Sequence, residues 1–394
     1  MKSKAQKIGF SGFILTIIFF IFLSPIYAEV GVTDTSVKVA LICDTTGPIA
    51  GAGIAFLHGS QSLVNYINET GGIHGRKVIL LHESDNYSAP QAMAATKKLI
   101  YNDKVFCFMG TLGIAQAIAQ IPIFMKEKIP FIAPGAPHRA FSEPPKRYVF
   151  PIHATSENDG QCMVDFMYYD LGLKNKKLAL IYQDDMMAKA TRTGMETQLT
   201  KYGLKLGTIT SYKRGAVDLS SQVLKCKNGG AEVLLVAAHG SPGAAVAKEA
   251  AKMGWKPVFI FAANANTPEF VRLGGSAVEG MYVSQSTEPM DSKTPAMLKY
   301  HRLLKKHYPK DPSSNYSRVG FVTMMMVEKG LQDAGRDLTR EKMVDSYEKL
   351  KNYETGVVAP ITYGHNNRAG GNLRFFTKIE NGKFKKLTEY RGPR

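Results

Sequence analysis

The stretch Val37–Arg76, VKVALICDTTGPIAGAGIAFLHGSQSLVNYINETGGIHGR, constrains the fold more than any other part of the chain. Val37–Cys43 is a short β-rich run that stops at Asp44 and the turn cluster Thr45-Thr46-Gly47-Pro48. Ile54, Leu57, Val64 and Ile67 then fall near one face at helical spacings, which predicts an amphipathic helix. Gly71-Gly72 ends it, because glycine takes the left-handed cap conformation without a Cβ penalty. The next strand, Lys77–His82, follows at once. Strand, helix and strand over this length form a βαβ unit, with a right-handed crossover and a parallel sheet.

The alternation continues. Ser88–Tyr101 reads as a helix with Ser88 as N-cap and Pro90 in its first turn, followed by a strand at Val105–Met109. A helix reaching Lys128 leads to strands at Ile129–Ala133 and Arg147–Pro151. A second series begins at Ser156, with strands Lys177–Tyr182, Lys205–Tyr212, Glu232–Ala237, Pro257–Phe261 and Gly280–Ser284. Helical stretches follow at Thr294–His307, Ser313–Ala334 and Thr339–Leu350. Leu373–Lys378 and Lys383–Leu387 around Asn381-Gly382 predict a closing hairpin. This is the doubly wound α/β pattern, and 394 residues are enough for two cores.

Several spaced motifs carry a resemblance over nearly all of the chain after the first 28 residues. They are TGPIA, INETGGIHGRKV, SDNYSAPQAMAATKKLI, KIPFIAPGA, KLALIYQDD and GGSAVEGMYVS. In this order they resemble type I periplasmic solute-binding proteins of the branched-chain-amino-acid-binding type, which serve ABC importers. The resemblance implies two doubly wound parallel-sheet lobes joined by three crossovers, near 151–156, 281–287 and 358–364, with the ligand cleft between them. The lobes are then 35–153 plus 284–358, and 154–283 plus 359–394. The partners it implies are a small organic solute and an ABC permease with its cytoplasmic ATPase. It also implies a monomer, no cofactor and no catalysis.

The amino terminus fits export. Lys2, Lys4 and Lys7 precede the apolar run Ile8–Leu23, and Ser24-Pro25-Ile26-Tyr27-Ala28 ends in a small residue. The run is short for a membrane span, so cleavage near Ala28 and a periplasmic location are expected. Loss of those three lysines takes the formal charge from +17 to +14. The remaining basic residues are scattered, without the aromatic-interleaved block of a nucleic-acid surface, so no nucleic acid is expected. The four cysteines, Cys43, Cys107, Cys162 and Cys226, show no metal spacing; buried thiols and disulfides both remain open.

Enzymatic and nucleotide-binding motifs are weak. Gly51-Ala52-Gly53 lacks the third glycine of a dinucleotide fingerprint, since Phe56 stands in its place. Asp184-Asp185 lies at the end of a strand, where it reads either as a helix start or as a catalytic pair. The resemblance permits a position-by-position reading of the cleft. Relatives use hydroxyls and backbone amides for the ligand carboxylate. Here those loops read Leu112, Gly113, Ile114 and Ala115, then Ala136, Pro137 and His138. Aromatic and acidic positions that would hold an ammonium fall at Met187, His239 and Ala263, beside Asn264, and an aromatic position of the first loop falls at Ala52.

A buried ammonium without oxygens carries a large desolvation cost. The pattern therefore favours an apolar or aromatic carboxylate, or an amide, over a standard α-amino acid. His138, Arg139, His239, Asn264 and Asn266 are the polar groups expected to grip one end of it. A branched-chain amino-acid receptor and a periplasmic sensor subunit are the alternatives.

Overall fold

The computed structural model describes residues 29–134 and 137–394. Segment 1–28, on which the expected leader falls, and Ala136 therefore lie outside the described residues. The first sheet holds β1 (Ser36–Ile42), β2 (Lys77–Glu83), β3 (Cys107–Met109), β4 (Phe131–Ile132) and β5 (Val149–Phe150). Their order is β2-β1-β3-β4-β5 and every pair is parallel. Helices α1 (Ala50–Glu69), α2 (Ala89–Tyr101) and α3 (Ile114–Lys126) connect them.

The second sheet repeats the plan with β6 (Leu178–Gln183), β7 (Thr208–Tyr212), β8 (Val233–Ala237), β9 (Val258–Phe261) and β10 (Tyr282–Gln285). Helices α4 (Ser156–Asp165), α5 (Met186–Lys201), α6 (Ser220–Asn228), α7 (Gly240–Lys252) and α8 (Pro268–Gly274) flank it. The hairpin β11 (Phe375–Glu380) and β12 (Lys383–Lys386) adds antiparallel to β10. The second sheet is therefore parallel through β6–β10 with the expected hairpin added antiparallel at one edge. A two-residue Asn381-Gly382 turn, with φ of 54° and 69°, can only join antiparallel neighbours.

Helices α9 (Pro295–His307), α10 (Asn315–Ala334) and α11 (Arg340–Glu348) return to the first sheet. Their Tyr300, Val322, Met326 and Tyr347 share a core with Val39, Leu41 and Phe106. Local pattern carries no information about that return, because an amphipathic stripe fits any apolar sheet face.

One expected contact differs. Ile54 is exposed, and the buried face of α1 is Gly53, Phe56, Gly59, Ser60, Leu63 and Ile67. The reason is close approach: a Cβ on Gly59 would sit 1.9 Å from the Ser317 carbonyl oxygen, and one on Gly320 would sit 2.1 Å from that of Phe56. Small residues thus face α10, and the apolar period is displaced. All four cysteines are buried and unbridged, and burial pushes the Cys226 thiol up to about 11. Among the described residues no helix is long and apolar enough to cross a membrane.

The chain passes between the halves three times, and the connecting segments touch. Thr287 bridges to Val358, Ala359 N donates to Ser286 O at 2.9 Å, and Tyr363 Oη donates to Pro151 O at 2.9 Å. His153 lies in the first segment. It is half-buried, and desolvation, then the charges of Arg374 and Arg318, push its pKa from 6.5 down to about 4. The unfolded chain takes up that proton near 6.5 and the folded one only near 4. This contribution is full above pH 6.5 and is lost as the pH falls toward 4. His153→Asn is expected to flatten this part of the acid-side decline in Tm, read by thermal unfolding across that range.

Candidate functional site

Both sheets reverse their strand order beside their first strand: β1 lies between β2 and β3, and β6 between β7 and β8. Open α/β sheets bind ligands beyond the carboxyl ends of strands at such switch points. Ala52 follows β1, and Leu112–Ala115 follow β3, at the first of them. Met187 follows β6 and His239 follows β8, at the second. Pro137 and His138 follow β4, while Ala263 and Asn264 follow β9. These residues therefore lie on loops or first helical turns at the carboxyl ends of their sheets.

In the first half, Asp44 is buried and organises the loop before α1, its carboxylate accepting from Thr46 N at 3.1 Å and Ile49 N at 2.8 Å. The turn after β3 is held by backbone that side chains resist. Gly113 has φ 102°, and a Cβ there would lie 2.3 Å from Gln116 Oε1 and 3.0 Å from the Tyr87 ring. Leu112 is buried, Ile114 half-buried and Ala115 exposed. The one hydroxyl in this turn, Thr111, faces inward and donates to Gln120 Oε1 at 3.0 Å. Helix α3 begins at Gly113 without a side-chain cap, and α1 at Ile49 likewise. The first N–H groups of α3 have no intrahelical partner, which favours an anion there, whereas the start of α1 is already met by the Asp44 carboxylate and by the carbonyls of Gly47 and Ile49.

His138 caps the short 3-10 turn Arg139–Phe141, its Nδ1 accepting from Ala140 N at 3.2 Å. Desolvation lowers its pKa, countered by the nearby Glu157 carboxylate on α4. Arg139 pairs with Glu143 at 2.8 Å on the surface.

In the second half, Asp185 caps α5 by accepting from Ala188 N at 2.8 Å. Asp184 is held by Lys189 and Lys213, whose hydrogen bonds lower its pKa to about 2. The acidic pair is thus a helix start and a surface ion cluster. Met187 is half-buried on the first turn of α5, with Met186 exposed beside it. His239 precedes α7 without a side-chain cap bond, and desolvation lowers its pKa while the Asp185 charge counters this. Strands β6 and β8 pair side by side, so the two loops leave adjacent strand ends.

Ala263 N donates to Asp159 Oδ2 at 2.9 Å, tying the 3-10 turn after β9 to α4. Asn264 is half-buried. Asn266 Nδ2 donates to Thr287 Oγ1 at 3.2 Å and so reaches the second connecting segment. Two residues near these loops escaped sequence reasoning. Tyr87 is 43 % exposed against the Gly113 turn, with φ 55°. Glu157 Oε2 is buried with no hydrogen-bond partner among the described residues. The signal for Tyr87 was its place in a Ser-Asp-Asn-Tyr turn after a strand; Glu157 had none, since a first-turn glutamate is ordinary helix chemistry.

A family model described as "Periplasmic binding protein" matches residues 36–383. Leu/Ile/Val-binding protein homolog 7 of Brucella abortus (strain 2308) is 25% identical over 358 residues, covering 88% of this chain and 90% of its own. Homolog 8 of the same strain is 24% identical over 345 residues, covering 84% and 85%. Among solved structures, a branched-chain amino acid ABC transporter protein from Thermus thermophilus with bound valine superposes with a TM-score of 0.79 at 16% identity, covering 91% of this chain and 97% of its own. A fatty acid ABC transporter substrate-binding protein from Thermomonospora curvata superposes with a TM-score of 0.76 at 22% identity, covering 92% and 94%. At these identities the structures show a shared fold.

Proposed function

Because the chain belongs to the periplasmic binding protein family, we propose that it is an exported, non-catalytic, monomeric receptor that closes on a small apolar or aromatic carboxylate and delivers it to an ABC permease. The lobes in this reading are 35–153 plus 284–358, and 154–283 plus 359–394. The observation that carries the ligand class is the chemistry of the switch-point loops. Uncapped starts of α3 and α7 offer N–H donors for a carboxylate, while Ile114, Met187 and Ala263 offer an alkyl wall. Tyr87 adds an aromatic face beside Gly113. A ligand touching both lobes favours the closed form by its differential affinity.

Thermal unfolding of ligand-stripped protein with benzoate, octanoate, leucine, isoleucine and valine tests this. At a hundred times Kd, linkage adds about 2.7 kcal/mol, a rise of several degrees. The carboxylates are expected to produce it and the amino acids are not; the reverse pattern overturns the ligand class. A second reading, a branched-chain amino acid, is favoured by the unpartnered Glu157 Oε2, which would face the ammonium. Under that reading Glu157→Gln removes stabilisation by leucine.

A further inference from the structure

A second crevice opens between the halves, on the side of the connecting segments. It encloses about 370 Å³, lined by Met290, Asn315 and Arg318 from one half and Val271, Arg272 and Phe384 from the other. Arg318 is the unusual member. It is only 2% exposed, and its guanidinium donates to Thr287 Oγ1 at 2.9 Å, Asn315 Oδ1 at 2.6 Å and the Glu288 carbonyl oxygen. All three acceptors are uncharged, and Nε has no partner among the described residues. The Glu288 carboxylate is engaged instead with Ser292 Oγ at 2.8 Å and Tyr390 Oη at 3.2 Å. Burial accordingly pushes the Arg318 pKa down to about 10.

No carboxylate among the described residues touches this guanidinium, and the nearby Glu288 charge offsets only part of the cost of burying it. Arg272 and Lys383 add positive charge to the lining against the single carboxylate of Asp291. The rest of the wall is the amides of Asn266 and Asn315, Gly382, and hydrocarbon from Met290, Val271, Pro268 and Phe384. We propose that this crevice binds a small apolar monocarboxylate, its carboxylate on Arg318 and its hydrocarbon on Met290, Val271 and Phe384. The free Nε–H supplies one charge-assisted hydrogen bond. Because the wall comes from both halves, the occupant ties them together and biases their relative position. The lining holds none of Ala52, Gly113, Met187 or His239 but shares Asn266 with the groups expected to grip the solute, so the crevice adjoins the solute cleft and is told apart from it by Met187→Trp.

The test is calorimetric titration of the stripped full chain with octanoate. Val271→Trp fills the crevice, Arg272→Glu with Lys383→Glu reverses its outer charge, and Arg318→Met removes the buried cation. Met187→Trp obstructs the cleft proposed above. An octanoate site is expected whose Kd rises at least tenfold in each crevice variant and is unchanged by Met187→Trp. Should Arg318→Met fail to fold, the other crevice variants decide, since Arg272 and Lys383 are exposed and Val271 is half-buried. Absence of octanoate binding, or an isotherm that every folded crevice variant leaves unchanged, overturns the proposal. Binding lost only in Met187→Trp overturns it while leaving the cleft reading intact.

Discussion

Asp159→Ala is expected to destabilise the fold by about 3–5 kcal/mol, the usual cost of removing one partner of a buried ion pair. Asp159 and Arg374 are each 3% exposed, with Nε and Oδ1 3.6 Å apart. The pair is loose, but the carboxylate has two further duties: it accepts from Ser284 Oγ at 2.5 Å and from Ala263 N at 2.9 Å. Alanine would orphan both donors and leave Arg374 with only the carbonyls of Ala154 and Thr155, at 3.4 and 3.2 Å. Urea unfolding reads the loss as a lower midpoint. A double-mutant cycle with Arg374→Met isolates the charge pair, and the double variant is expected to lose less than the sum of the singles. Strict additivity would mean that the backbone and hydroxyl contacts, rather than the ion pair, carry the effect.

The same residue illustrates where sequence reading stops. Strand–helix alternation was legible because parallel strands such as Leu178–Gln183 are buried throughout and bounded by turn residues. The short β3, β4 and β5 were placed correctly but drawn too long, since apolar residues flanking a strand are buried whether or not they join its ladder. Asp159, by contrast, sits in the first turn of α4, where any acidic residue suits the helix. Its partners lie more than 100 positions away, and no local period encodes such a pairing. Tyr87 and Glu157 were missed for a related cause: which loop side chains share a crevice depends on the relative placement of strands. The alkyl character of Ile114, Met187 and Ala263 was legible because their positions follow strands whose order the motifs already implied.

The glycine crossings give the other large effect. Gly59→Ala is expected to destabilise the protein by about 2–3 kcal/mol, although alanine in an unhindered helix gains up to about 1 kcal/mol over glycine. The sign reverses because the new methyl would lie 1.9 Å from the Ser317 carbonyl oxygen, a backbone atom that cannot rotate away. Helices α1 and α10 would have to separate, loosening Phe56 and Leu63 on one side and Phe321 on the other. The second half uses the same device: a Cβ on Gly194 would meet the Glu157 carbonyl oxygen at 1.9 Å, and one on Gly160 that of Thr191 at 2.0 Å. Gly194→Ala should therefore cost a similar amount. Gly51 in the same helix α1 is the internal control, for a Cβ there meets nothing within 4 Å, and Gly51→Ala is expected to be neutral or stabilising. Chemical denaturation of the three variants separates the cases. Equal, small effects at Gly59, Gly194 and Gly51 would mean that the helix pairs tolerate wider spacing, and that backbone contact does not set the distance between them.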